Sequence, residues 1–146
     1  MKITLGVIGK CKPKSPEAEI ISRYQERLKW ELKIKEKDNS TQQTEAKFLS
    51  SCISPNSKVV VMDERGKNMT SPELAKLVEN WMQQGCSEIC FLIGGAEGHL
   101  EETRQQADLI LSFGKLTLPH ILMRAVLVEQ IYRIETIINN HPYHKY

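Results

Sequence analysis

Apolar residues recur along this chain in two rhythms that take turns. Runs apolar at every position, or at every second one, predict strands; apolar residues three and four apart predict helices. Lys2 to Gly9 reads as a strand. Ser15 then offers an N-cap with Pro16 at the first helical position, and Ile20, Ile21, Tyr24 and Leu28 follow at helical spacing. Trp30, Leu32 and Ile34 alternate with Glu31, Lys33 and Lys35, the period of a half-exposed strand. Thr41 to Cys52 predicts a helix with Phe48, Leu49 and Cys52 on one face, stopped by Pro55 and Asn56. Lys58 to Asp63 is apolar on both faces through Val59-Val60-Val61-Met62, as a central parallel strand should be. Ser71-Pro72-Glu73 opens a helix that buries Leu74, Leu77, Val78, Trp81 and Met82, and Gly85 suits its C-terminal cap. Glu88 to Ile93 is a second central strand, Glu101 to Ala107 a short helix and Leu109 to Phe113 a fifth strand. Residues 119 to 139 form the longest helix.

Strands that alternate with helices predict an α/β domain with a mostly parallel sheet, here a single domain over residues 1–146. Ligands in such folds bind beyond the carboxyl ends of the strands. Three loops with unusual chemistry leave strands there: Glu64 to Asn68, Gly94 to Gly98, and Gly114 to Pro119.

Composition narrows the class. Hydrophobic residues make up 40% and charged residues 26% of 146, the balance of a folded soluble protein, and no apolar run is long enough to span a bilayer. The start, Met1 to Leu5, breaks at Gly6 and Gly9 and lacks the apolar core of a signal peptide, so a cytoplasmic location is expected. The net charge of +2 excludes a highly basic nucleic-acid coat. It is unevenly spread: residues 1–37 carry a net +5 and residues 38–146 a net −3. Such asymmetry marks either a face that meets an anion or a solvated lysine-rich surface. Cys11, Cys52, Cys86 and Cys90 form no C-x-x-C pair and are read as reduced thiols. Cys86-x3-Cys90 with His141-x2-His144 would have to be forced into a four-ligand zinc set, so no metal is expected.

Gly94-Gly95-x-x-Gly98 partly resembles a dinucleotide fingerprint, but it follows the fourth predicted strand, and the next strand ends without the acidic residue that would hold a ribose. A phosphate-cradling Walker loop fails because no Lys-Ser or Lys-Thr follows. Its glycines still suit close approach of backbone to a ligand. In Phe113-Gly114-Lys115-Leu116-Thr117-Leu118-Pro119-His120, His120 lies in the first turn of the long helix and Arg124 one turn later, a His and an Arg at the mouth of a glycine-lined pocket. The tail, His141-Pro142-Tyr143-His144-Lys145-Tyr146, combines aromatics that stack on bases with cations that meet phosphates.

Taken in order, several segments resemble one family. They are Met1-Lys2-Ile3 to Gly9-Lys10, Tyr24-x-x-Arg27-Leu28, Met62-Asp63-x-x-Gly66-Lys67, and Phe91-Leu92-Ile93-Gly94-Gly95-x-x-Gly98. Leu116-Thr117-Leu118-Pro119-His120, Arg124-x4-Glu129-Gln130-x-Tyr132-Arg133 and His141-Pro142-Tyr143-His144 follow. The chain thus resembles the RlmH family, the bacterial 23S rRNA pseudouridine N3-methyltransferases of the SPOUT superfamily. The stretch between Glu36 and Ser57 looks shorter than in typical relatives, and the Lys145-Tyr146 ending differs from theirs.

The resemblance implies a carboxy-terminal trefoil knot that holds S-adenosylmethionine, with Met62, Gly94, Phe113, Gly114, Lys115, Leu116, Thr117 and Leu118 as the cofactor pocket. It also implies a homodimer with the last helix at the interface, and large-subunit rRNA within the assembled ribosome as substrate. The expected catalytic and RNA-contacting group is the tail, with His141 and His144 in the titration range of a base and Tyr143 as a stacking group. Arg124, Arg133 and Lys145 are expected to hold phosphate or stabilise a developing anion. A related methyltransferase for another RNA such as tRNA, a non-catalytic ribosome-binding module and a nucleotide-dependent oxidoreductase are the competing readings.

Overall fold

The computed structural model describes residues 1–144. Among the described residues five parallel strands form one sheet in the order β2-β1-β4-β3-β5. They are β1 (Lys2–Ile8), β2 (Glu31–Lys37), β3 (Lys58–Asn68), β4 (Glu88–Ile93) and β5 (Leu109–Ser112). The helices between and after them are α1 (Pro16–Arg27), α2 (Gln42–Ser51), α3 (Ser71–Gln83), α4 (Glu101–Gln105) and α5 (His120–Ile138), with a 3₁₀ turn over Pro142–His144. Local chemistry starts the helices where the sequence places them. Ser15 accepts from the Ala18 N–H, Thr41 from that of Thr44, and Thr70 forms a full capping box with Glu73. Gly85, at φ +95, follows the end of α3 in the left-handed conformation that glycine tolerates best.

The strand pleat sorts the core into two layers. Ile3, Leu5, Val7, Val60, Met62, Ile89, Phe91, Ile93 and Leu111 meet Ile21 of α1, Leu74, Ala75, Val78 and Trp81 of α3, and Ala125, Leu127, Val128, Ile131 and Ile134 of α5. On the opposite face Ile8, Val59, Val61, Cys90 and Leu92 meet Leu49 and Cys52 of α2. The sheet is covered on both sides, which explains why β3 and β4 are apolar at successive positions. Cys90 lies inside the smaller layer; burial, with Cys52 and Glu88 nearby, pushes its pKa up to about 12.

Glu135 of α5 is buried and accepts from the N–H groups of Lys29 (2.9 Å) and Trp30 (2.7 Å), holding the α1–β2 turn against the last helix. Glu135→Ala is expected to cost about 2 kcal/mol because two backbone donors lose a charged acceptor. A lowered urea midpoint with an unchanged slope would report it.

β3 is longer than the sequence predicts, and the added part sets up the site. Met62 and Lys67 both register with Leu111, and Asn68 with Ser112. Between them the chain passes directly over β5. A Cβ on Gly66 would lie 2.7 Å from the carbonyl carbon and oxygen of Ile110 and 2.8 Å from the carbonyl carbon of Leu111. Only glycine lets two backbones approach so closely.

Candidate active site

The three loops expected to gather at the carboxyl ends of the strands do so. They enclose a cleft of about 380 Å³ lined by Met62 to Arg65 of the crossing, Ile93 to His99 of the glycine loop, and Ser112 to Gly114 with Leu116 to Leu118 beyond β5. Leu111 lies at its base, and His120 and Met123 of α5 contribute from the side. Gly98 (φ +77) and Gly114 (φ +117) occupy the left-handed region, where a side chain would be strained, so glycine keeps those walls thin. The glycine loop is closed by the Gly98 N–H donating to the Gly95 carbonyl at 2.9 Å. Ser112 braces the neighbouring loop: its hydroxyl accepts from the Gly114 N–H at 3.1 Å and donates to the Gly114 carbonyl at 2.9 Å.

Asp63 accepts from the Arg65 N–H at 2.9 Å and lies 3.4 Å from the guanidinium of Arg104. Burial acts to raise its pKa, but these partners outweigh burial and hold it below the usual carboxylate range. It is therefore an anchored anion rather than a proton carrier. His99, which the sequence reading passed over, is buried in the wall with Nε2 3.1 Å from the Met62 carbonyl. Burial depresses its pKa, against the influence of Asp63 and that carbonyl.

Of the residues expected in the pocket, Met62, Gly94, Phe113, Gly114, Leu116, Thr117 and Leu118 line the cleft; Lys115 is exposed and does not. His120 lines it too. Arg124 does not. It is 2% exposed, and its guanidinium donates to Glu36 and, at 2.8 Å, to the Gly9 carbonyl, tying α5 to the ends of β1 and β2. One helical turn beyond His120, it has left the cleft and entered the core, so in this chain it is a brace.

The described part of the tail, His141 to His144, is also not among the residues that line the cleft. The Tyr143 hydroxyl is 2.7 Å from Glu129 and 3.2 Å from the hydroxyl of Tyr24. Its ring packs edge-on to Tyr132 at 4.7 Å, beneath the guanidinium of Arg133 at 4.9 Å. Burial and the bonds to Tyr24 and Glu129 raise the Tyr143 pKa, so its hydroxyl remains a donor. Arg133 pairs with Glu129 at 3.0 Å. Exposed His141 accepts from the Tyr143 N–H at 3.1 Å. Lys145 lies outside the described residues.

The cleft is thus built where β3 crosses over its neighbour β5, and a glycine loop walls it. Residues 1–144 match the family described as "Predicted SPOUT methyltransferase". The chain belongs to the SPOUT methyltransferase family. It is 38% identical to "Ribosomal RNA large subunit methyltransferase H" of Rhodospirillum centenum over 152 aligned positions, covering 99% of each chain. It is 42% identical to the protein of the same name from Zymomonas mobilis, covering 98% of this chain and 95% of that one. Among solved structures, a probable methylase family protein from Haemophilus influenzae superposes with a TM-score of 0.57 at 10% identity, over 97% of this chain and 69% of that one. That likeness concerns the fold alone. In this chain the polar crossing segment of β3 is a wall of the cleft rather than a connecting loop.

Proposed function

We propose that this protein methylates N3 of a pseudouridine in large-subunit rRNA, using S-adenosylmethionine and acting on the assembled ribosome as a cytoplasmic homodimer. The observation that carries the reading is the cleft itself, which brings the residues expected to hold the cofactor to one place in a chain matched end to end by rRNA large-subunit methyltransferases. About 380 Å³ is within the range of small-molecule sites. Met62, Phe113, Leu116 and Leu118 offer apolar cover for an adenine, while the glycine loop lets main chain approach the polar end. The crossing of β3 over β5 supports the proposal that the carboxy-terminal part of the chain threads beneath it as a trefoil knot.

S-adenosylmethionine, when bound, supplies a methyl group already activated on a sulfonium. The protein has to hold that group, keep water away and set the nucleophile in line with it. A pseudouridine N3 is a poor nucleophile while protonated, and the imidazole of His141 or His144 is the group of the tail suited to accept that proton. Tyr143 keeps its own proton and acts as a ring that docks the tail. Because Tyr143 packs against Tyr24 of α1 and Glu129 and Tyr132 of α5 rather than in the cleft, we place the tail at the cleft of a second copy. The surface of α5 supports this. Leu122 is 39% exposed on it, and Leu116 just before it is 85% exposed. Lys12, Lys14, Arg23, Lys29 and Lys33 are exposed on the amino-terminal part and suit phosphate contacts.

The deciding experiment is methyl transfer from labelled S-adenosylmethionine to ribosomes lacking the modification, followed by mapping of the labelled base and measurement of the enzyme's mass in solution. A single labelled pseudouridine and a dimer mass are expected. Label confined to tRNA, or none at all, overturns the reading. His144→Ala is expected to lower the transfer rate about 100-fold, the low end of what a positioned acid or base contributes, and Tyr143→Ala to lower it as well by undocking the tail. Wild-type rates in both would remove the tail from the mechanism.

A further inference from the structure

Two side chains that none of the family-like segments contains hold the facing walls of the cleft together. His99 follows the glycine loop and is only 6% exposed. The Met62 carbonyl can only accept, so His99 Nε2 carries the proton and donates to it at 3.1 Å. Nδ1 is then a bare acceptor, buried and without a hydrogen-bond partner among the described residues. It faces Gly94, where a Cβ would lie 3.2 Å from Nδ1 and 3.1 Å from Cε1. Arg104 of α4 completes the arrangement. Its Nη1 donates to the His99 carbonyl at 2.7 Å and lies 3.4 Å from Asp63, while Nε and Nη2 hold Glu101 at 3.0 and 2.9 Å. A continuous clasp thus runs from α4 through His99 to Met62 and Asp63, the residues at which the chain leaves the sheet to cross β5.

We propose that His99 and Arg104 are positioning residues for methyl transfer: together they fix the separation between the crossing segment and the glycine loop. The inference rests on the reading of the cleft as the S-adenosylmethionine site. In-line displacement tolerates little error, since a misplacement of about 1 Å can cost about 100-fold. A clasp bonded to both walls of the cleft is well placed to prevent it. The Gly94 gap gives the imidazole its seat, so a glycine of the loop serves a neighbouring side chain as well as the ligand.

The test measures S-adenosylmethionine affinity by calorimetry, and kcat on unmodified ribosomes at saturating cofactor, for the wild type, His99→Ala, His99→Gln, Arg104→Met and Arg104→Lys. His99→Ala and Arg104→Met are expected to weaken binding and lower kcat by about tenfold each, within the sensitivity of positioned reactions. His99→Gln, whose amide can donate to the Met62 carbonyl, is expected to recover most of both losses. A purely structural role would lower the melting temperature and leave kcat per folded enzyme unchanged. Folded His99→Ala with both constants within twofold of wild type overturns the proposal, as does a glutamine variant no better than alanine. Should His99→Ala fail to fold, Arg104→Met decides: its side chain is near the surface, at 16% exposure, and wild-type constants there overturn the proposal alone. A wild-type protein that binds no S-adenosylmethionine would instead overturn the reading of the cleft.

Discussion

Gly66→Ala is expected to lower stability by about 3 kcal/mol, the upper end of the usual cost of overpacking, and to weaken S-adenosylmethionine binding more than tenfold. The added methyl would meet carbonyl atoms of Ile110 and Leu111 at 2.7 to 2.8 Å. Those atoms belong to the middle of a hydrogen-bonded strand and cannot swing aside as the end of a flexible side chain would. The crossing segment must lift instead. Lifting breaks the register of Lys67 with Leu111 and of Asn68 with Ser112, and it carries Asp63, Glu64 and Arg65 out of the cleft wall. Backbone conformation plays no part, since Gly66 is absent from the positive-φ glycines. Urea denaturation and calorimetry on one sample check both effects. A wild-type midpoint together with wild-type affinity would show that the two backbones are not in contact.

Arg124→Ala is the second large change, with an expected loss of about 3 kcal/mol. Removing one partner of a buried ion pair costs roughly 3–5 kcal/mol, and the low end applies because the Glu36 side chain remains 31% exposed and can regain water. Glu36 also accepts from the Cys11 N–H at 3.0 Å, so the loop after β1 should loosen with it. The expected signature is a lower melting temperature, with methyl transfer per folded molecule retained. A wild-type melting temperature with a collapsed kcat would instead return Arg124 to the role of an anion-stabilising residue.

The elements were legible in the sequence because their signals are local. Val59 to Met62 and Glu88 to Ile93 are apolar on both faces, and the caps at Ser15 and Thr70 lie within one turn of the groups they satisfy. Resemblance grouped the glycine loop with Leu116-Thr117-Leu118, and both line one cleft. Asp63-Glu64-Arg65-Gly66-Lys67-Asn68 looks like a polar loop, and the extended structure at its end comes from pairing with β5, 44 residues later in the chain. No periodicity reports that. Arg124 was misplaced for a related reason. Helical spacing puts it on the same face as His120, but the reach of its side chain and the position of Glu36 decide which group it meets. His99 carried only one signal, a histidine directly after the loop's last glycine, and its importance depends on a carbonyl contributed by a different strand.

The links from α5 to the start of the chain also constrain how the protein is made. Arg124 bonds Gly9 and Glu135 bonds Lys29 and Trp30, pairs separated by 115, 106 and 105 residues. The larger core layer likewise extends from Ile3 to Ile134. A nascent chain therefore cannot close that layer until nearly all of it has left the translating ribosome. Until then the apolar faces of β1, β3 and β4 stay open, the condition in which slow, non-local folding invites aggregation. Truncations ahead of α5 should consequently yield chains that bind chaperones rather than smaller folded proteins.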